Sequence, residues 1–401
     1  MTALWLLSLF VFSYPIAMSV VWVIGGLYYW FNYELKEKKG LYSLKTYPSV
    51  TILVPCHNEA QTIEITCKNL SVLDYDNYQV IFIDDASKDN TAALIRPFVA
   101  KYPYFHLLCL RENQGKAGAL NAALKLVKTP FVLVLDADTL ISGKTLKWLV
   151  LPFTRRTNLA AVTANPIPYN KDCFLSKFQT GEFMSIIGLI KRSQSIFGYL
   201  FTISGCATLY KTNLLREVGG FSSITATEDI DITWRIQVPN RLKEYWKQRK
   251  RWAMGGWHLL RTHKDIFSNR HLRHLWILYF DFVLAYTWAF CLVTAILLAL
   301  LSVSLDLNLG FSFLPFPYCA FALTAFSIQS ICALRLNSFY DPSIKECLLY
   351  VPWYPLFFYL VGAVLIVRTS LKGLFGDLKN SGKWSSPQRL SLKQVGQGRS
   401  T

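Results

Sequence analysis

The chain has 401 residues, of which 52% are hydrophobic, 15% aromatic and only 17% charged, a balance too apolar for an ordinary soluble enzyme. Its formal net charge of +17 calls for an anionic partner: nucleic acid, lipid head groups or a phosphorylated substrate. Nine scattered cysteines without a C-x-x-C pair exclude a disulfide scaffold or a zinc cluster as the organising principle.

The first element is "LWLLSLFVFSYPIAMSVVWVIGGLYYWF", residues 4 to 31, uncharged and longer than the roughly 20 residues a helix needs to cross a bilayer. A cleaved signal would carry basic residues ahead of a shorter apolar core. Here Lys36, Lys38 and Lys39 follow the segment, so it reads as a retained span with residues 32 onward on the cytoplasmic side.

Between about Lys36 and Arg270 the pattern changes. Apolar, β-branched runs at 49–56, 79–85, 105–112 and 130–138 alternate with helix-like stretches such as "KAGALNAALKLV". Continuous apolar strands separated by amphipathic helices predict a parallel sheet covered on both faces. Such sheets bind ligands beyond the carboxyl ends of their strands.

Polar residues fall at those ends: Cys56-His57-Asn58-Glu59 on the first strand, Asp84-Asp85 on the second and Asp136-Ala137-Asp138 on the fourth. One acidic strand end is a turn former or helix cap; three converging ends point to a site. No G-x-G-x-x-G or G-x-x-x-x-G-K-[ST] occurs, so dinucleotide and P-loop readings lose their support. Asp136-x-Asp138 suits Mg²⁺ or Mn²⁺ held partly by carboxylates and partly by a diphosphate. Lys116 opens a helix just after a glycine, where an ammonium and backbone N–H groups can face an anion.

Toward the C-terminus, residues 241–264 read as an amphipathic helix along the cytoplasmic face, its cations at the head groups and one side turned to the site. Spans follow at 276–305 and 311–336, and the loop between them carries no Lys or Arg, so it faces outward. A third apolar block, 347–367, holds Pro352 and Pro355. Four full crossings would leave the basic tail from Arg368 outside, so either this block is re-entrant or broken, or the orientation rule fails there.

The motifs "VPCHNEA" (54–60), "IDDASKDNT" (83–91), "NQGKAGALN" (113–121), "LDADT" (135–139), "SGCATLYK" (204–211), "TEDID" (227–231) and "QRKRW" (248–252) occur in this order. As a set they resemble a processive, membrane-integrated family-2 glycosyltransferase. Within that family the stretches 181–198, "TEDIDITWRIQ" and "KWSSPQR" look most like synthases of bacterial poly-β-1,6-N-acetylglucosamine. The resemblance implies an α/β GT-A (Rossmann-like) cytoplasmic glycosyltransferase domain inserted between transmembrane α-helices. Its expected divisions are 1–34 (N-terminal span), 35–240 (GT-A domain), 241–274 (interfacial helices), 275–370 (C-terminal membrane region) and 371–401 (basic tail). It also implies UDP-N-acetylglucosamine as donor, Mg²⁺ or Mn²⁺, export of a growing polysaccharide across a bacterial inner membrane, and a small membrane partner protein. Membrane lipid takes up most remaining positive charge, and nucleic acid is not needed as a partner.

The same resemblance assigns roles. Pro55, Asn58, Glu59, Asp84 and Asp85 would shape or contact the uridine part. Lys116 and Asp136 would serve the diphosphate, Asp136 and Asp138 the metal. Asp229, framed by Thr227 and Glu228, would be the general base. Gln248, Arg251 and Trp252 would close over the diphosphate and the acceptor end. One departure stands out: after "TEDIDITWRIQ" the family has a further strand and connection, which this chain lacks, leaving Val238-Pro239-Asn240 to make the crossing. A nucleotide-sugar-binding protein without turnover, or another processive β-glycan synthase of the hyaluronan, chitin or cellulose type, are the alternatives left open.

Overall fold

The computed structural model describes residues 2–38, 47–155, 159–168, 171, 173–196, 206–221, 228–229, 231–232, 242–262, 267, 276–305, 316–353 and 356–376. In chain order, α1 (Thr2–Tyr29) runs through a π turn (Trp30–Glu34) into α2 (Leu35–Lys38). Then come β1 (Val50–Cys56), α3 (Ile63–Leu70), β2 (Tyr78–Asp84), α4 (Thr91–Lys101), β3 (Phe105–Cys109), α5 (Gly115–Leu124), β4 (Phe131–Leu135), α6 (Thr145–Arg155) and β5 (Ala161–Thr163). After these lie α7 (Phe174–Phe183), a π segment (Met184–Ile190), α8 (Lys191–Ile196), β6 (Ala207–Lys211) and α9 (Thr212–Glu217). Two short strands, β7 (Glu228–Asp229) and β8 (Asp231–Ile232), precede α10 (Leu242–Thr262), α11 (Trp276–Ser304), α12 (Phe316–Asn337) and α13 (Gly362–Phe375).

Two compact units emerge. One comprises Met1–Asn32, Cys173–Phe201 and Pro239–Gly376; the other comprises Tyr33–Asp172, Thr202–Val238 and Asp377–Thr401. The expected 35–240 division counted Cys173–Phe201 with the transferase region, whereas this segment packs within the helical unit.

The α/β unit is built on a six-stranded sheet in the order β3-β2-β1-β4-β6-β5. All of β1 is buried, as a central strand covered on both faces requires. Alternation sends Ile52, Val54, Phe82 and Leu133 to one core with Ile63, Ile95 and Leu146. It sends Leu53, Ile83, Val132 and Val134 to the opposite core, closed by Leu120 of α5 and Leu215 of α9. On α3 the buried Ile63, Thr66, Cys67 and Leu70 follow one helical stripe.

The sheet departs from an all-parallel expectation at one edge. β1 to β4 are parallel, but β6 runs antiparallel to both β4 and β5. Pro55 sits inside β1 at no cost to the ladder with β4, because that pairing ends at Leu53.

A side-chain clasp sets the segment after β4. Asn69 donates to the Ile141 carbonyl and accepts from its N–H, both at 2.9 Å, and Thr66 donates to the Ala137 carbonyl at 2.6 Å. Asn69→Ala leaves both Ile141 backbone groups without that partner. It is expected to destabilise the unit by about 1–2 kcal/mol, read as a lowered Tm of the purified chain.

Among the described residues, three helices are long and apolar enough to cross a membrane: Ala3–Glu34, Tyr279–Ser304 and Ala320–Asn337. The third apolar block is broken. It begins as a 3-10 segment (Pro342–Trp353), continues as a π segment (Leu356–Val361) and becomes α-helical only at Gly362. Proline lacks an N–H and so removes a rung from a helical ladder, and Pro352 lies in the 3-10 segment. The second half of α10 is tied to its neighbours. Trp257 Nε1 donates to the Ile366 carbonyl at 3.0 Å, Tyr286 Oη donates to the Ala253 carbonyl at 3.0 Å, and Arg261 donates to the Gly376 carbonyl at 2.5 Å. A Cβ on Gly256 would meet Tyr286 Oη at 1.9 Å, so the small residue permits this approach. The described cysteines are free thiols.

Candidate active site

The strand order brings the three acidic ends together, because β2, β1 and β4 are neighbours. Between the first two, the Asp85 N–H donates to the Cys56 carbonyl at 2.9 Å, and His57 Nδ1 lies 2.8 Å from the Asp85 carbonyl. Asn58 and Ala86 both adopt left-handed backbone, with φ of 56° and 53°. Non-glycine residues held there cost energy and gather where a binding loop must be shaped.

The loop holds itself in place through Asn58, which accepts from the Lys88 N–H at 2.8 Å while its own N–H donates to Ser87 Oγ at 3.0 Å. Glu59 is buried, its N–H bonded to Thr91 Oγ1 at 2.8 Å and its Oε2 accepting from Thr62 at 3.2 Å. These two residues therefore hold the loop after β1 in place.

Asp84 and Asp85 present a different picture. Asp85 Oδ1 accepts from the Gln114 N–H at 2.8 Å. Asp85 Oδ2 and Asp84 Oδ1 are buried with no hydrogen-bond partner among the described residues. A buried carboxylate oxygen without a donor costs free energy unless a ligand supplies one. Burial raises the Asp85 carboxyl above its ordinary value, although the N–H groups of Gln114 and Gly115 pull the other way. The Asn113 amide reaches both ring nitrogens of His57, at 3.2 and 3.1 Å. The sequence reading placed His57 at the first strand end without giving it a role, and it gave the weight of "NQGK" to its lysine rather than to Asn113 and the Gln114 N–H. The signal available was Gly115, whose φ of 73° turns the chain back toward β2.

At the end of β4, Lys116 Nζ stands 2.8 Å from Asp136 Oδ1, and both side chains are under a tenth exposed. The anion that Lys116 faces is thus a carboxylate of the site itself. The Asp136 N–H donates to the Cys206 carbonyl at 3.2 Å, which locks this strand end to the chain entering β6. Asp136 and Asp138 offer the hard oxygen donors that Mg²⁺ or Mn²⁺ takes. No group of three His, Cys, Asp or Glu side chains gathers among the described residues. That donor set fits a cation held by two carboxylates and completed by substrate oxygens.

Thr227 lies outside the described residues. For Glu228 and Asp229 the backbone is described, paired parallel with Asp231 and Ile232, while their side chains are not. Gln248 and Arg251 stand on α10 with side chains outside the described set. Trp252, on the same helix, is described and partly buried, its ring 6.4 Å from that of Phe183 at 54°.

The sequence model described as "Glycosyl transferase family 2" matches residues 51–219. A poly-beta-1,6-N-acetyl-D-glucosamine synthase of Staphylococcus epidermidis is 34% identical over 409 aligned positions, covering 96% of this chain and 99% of the relative. The chain belongs to glycosyl transferase family 2. A family-2 synthase of the same description from Staphylococcus aureus is 33% identical, covering 95% of this chain and 98% of its own length. Among solved structures, a mannosyltransferase from Pyrobaculum calidifontis in complex with GDP-Man and Mn2+ matches with a TM-score of 0.55 at 20% identity, covering 91% of this chain and 99% of that one. This likeness shows the GT-A fold expected of a family-2 member. The 409 positions aligned with the first relative exceed the 401 residues of this chain, so the aligned span is shorter here than in that family-2 relative.

Proposed function

We propose that this protein is a membrane-embedded inverting glycosyltransferase that polymerises N-acetylglucosamine from UDP-GlcNAc into exported poly-β-1,6-GlcNAc, a biofilm exopolysaccharide. The observation that carries the reading is 34% identity over 96% of the chain to a synthase of that polymer, because it extends through the flanking apolar helices. The site chemistry agrees with it. The buried, unsatisfied oxygens of Asp84 and Asp85 suit the N–H and O–H donors of a uridine. Pro55, Asn58 and Glu59 shape the rim around them.

In the reaction, an acceptor hydroxyl forms a bond to the anomeric carbon as the bond to UDP breaks on the opposite face. Asp229, framed by Thr227 and Glu228, takes the hydroxyl proton, which requires a carboxylate within about 3 Å. Asp136 and Asp138 would hold Mg²⁺ or Mn²⁺, which would offset the charge developing on the diphosphate. Lys116, seated on Asp136 at 2.8 Å, would hold that carboxylate in place at the strand end. Gln248 and Arg251 serve the diphosphate, and Trp252 offers a flat apolar face to the acceptor sugar.

The reading places the protein in a bacterial cell membrane as a multi-pass chain, with lipid and a small membrane protein as partners. Three crossings return the basic tail to the side occupied by residue 35, in line with the positive-inside rule. The test is UDP release from a panel of UDP-sugars by the full chain in purified membranes, with product size on a gel. UDP-GlcNAc is expected to give the highest rate and a long polymer, and a chelator to stop release until Mn²⁺ or Mg²⁺ is restored. A higher rate with another UDP-sugar would shift the assignment to a hyaluronan-, chitin- or cellulose-type synthase. A second reading, a nucleotide-sugar-binding protein without turnover, is favoured by the shorter aligned span. UDP binding without release from any donor would select it.

A further inference from the structure

Within the helical unit, a charge pair is buried. Glu182 of α7 is fully buried, the Arg249 side chain on α10 is 5% exposed, and the guanidinium contacts the carboxylate through Nη2 and Oε2. Arg249 belongs to the cationic run that the sequence reading gave to lipid head groups. Its neighbour Lys250 is exposed, but Arg249 points inward. Spaced three residues apart on one helix face, Arg249 and Trp252 meet, and Arg249 Cζ lies 3.7 Å from the Trp252 ring centroid. Phe183, next to Glu182, flanks the same indole. Two adjacent residues of α7 thus touch two residues of the Q-x-x-R-W run.

The physics of the pair favours a geometric role. Taking two charges out of water costs about what their attraction returns, so an apolar pair of similar volume would stabilise the fold equally well. A carboxylate adds direction. The guanidinium is planar with a fixed fork of donors, so a carboxylate on its edge sets the orientation of its plane. An indole stacked on that plane is set with it. Burial lifts the Glu182 carboxyl from 4.5 to about 7, and the Arg249 guanidinium pulls the other way.

We propose that Glu182 is a positioning residue of the acceptor subsite, which through Arg249 orients the Trp252 indole as the platform for the terminal sugar of the growing glycan. This rests on Trp252 as an acceptor contact, as given under the proposed function. Lysine at 249 would keep the charge and lose the plane, which separates orientation from simple ion pairing.

The test measures binding of an N-acetylated β-1,6-linked glucosamine pentasaccharide, and separately of UDP, to the full chain in lipid nanodiscs. Glu182→Gln and Arg249→Lys are each expected to weaken pentasaccharide binding by about tenfold, as Trp252→Ala does, with UDP affinity within about twofold of the parent. The retained UDP affinity reports that the chain is folded. Where the parent turns over, KM for the pentasaccharide rises more than kcat falls. Pentasaccharide affinity within about twofold of the parent in Arg249→Lys, while Trp252→Ala loses it, overturns the proposal. So does a parent that does not bind the pentasaccharide, or a Trp252→Ala chain that binds it normally. A parent that binds the glycan but releases no UDP from any donor defeats the proposed function alone, and the comparison of variants still decides the role of Glu182.

Discussion

Asp229→Asn is expected to slow polymer formation severely while leaving UDP binding intact. The amide matches the carboxylate in size and hydrogen-bonding reach, so the backbone pairing of Glu228–Asp229 with Asp231–Ile232 gives no reason for the fold to change. An amide cannot accept the proton of the attacking hydroxyl. Loss of a positioned general base costs about 10²–10⁴-fold in rate, and the variant is expected within that range in UDP release coupled to transfer. Glu228→Gln serves as the companion: a framing residue gives a smaller loss than the base. A turnover rate for Asp229→Asn close to the parent would place the base elsewhere and remove the mechanism proposed here.

The Lys116–Asp136 pair yields the second large effect. Both groups are buried and 2.8 Å apart. Lys116→Met or Asp136→Asn alone breaks the buried pair, at a cost of about 3–5 kcal/mol. The double replacement removes both charges and is expected to recover most of that stability. It is not expected to recover turnover, because Asp136 is also a proposed ligand of the cation. Thermal unfolding of the three variants, set beside UDP release, reads the two consequences separately. Equal unfolding temperatures for the single and double variants would show that the pair is not coupled.

How far these features could be read from residues alone depends on the range of the interaction. β1 and β2 match the apolar runs within a residue, because a central strand buried on both faces leaves an unbroken signal. β3 and β4 end sooner than the runs, at Cys109 and Leu135, where the polar tails leave the ladder. The acidic strand ends were legible by the same logic. The antiparallel β6 was not: "ATLYK" is as short and apolar as its neighbours, and its direction is decided by pairing with β4, some 75 residues earlier. Local charge patterning placed the α10 cations at lipid, and only a partner on α7 reveals that Arg249 is interior. The third apolar block has the broken form that counting hydrophobic residues had offered as one of two alternatives.

The continuity of α10 has a mechanical consequence. Its 21 residues form a rod of about 30 Å with no proline to flex it. Ala253, Trp257 and Arg261 clamp the later turns to α11 and to the segment running through α13 to Gly376, while Arg249 and Trp252 lie on the turn before. A stiff rod gripped along one stretch behaves as a lever. Any tilt imposed on the gripped turns by bilayer thickness or lateral pressure would swing the indole of Trp252 with it.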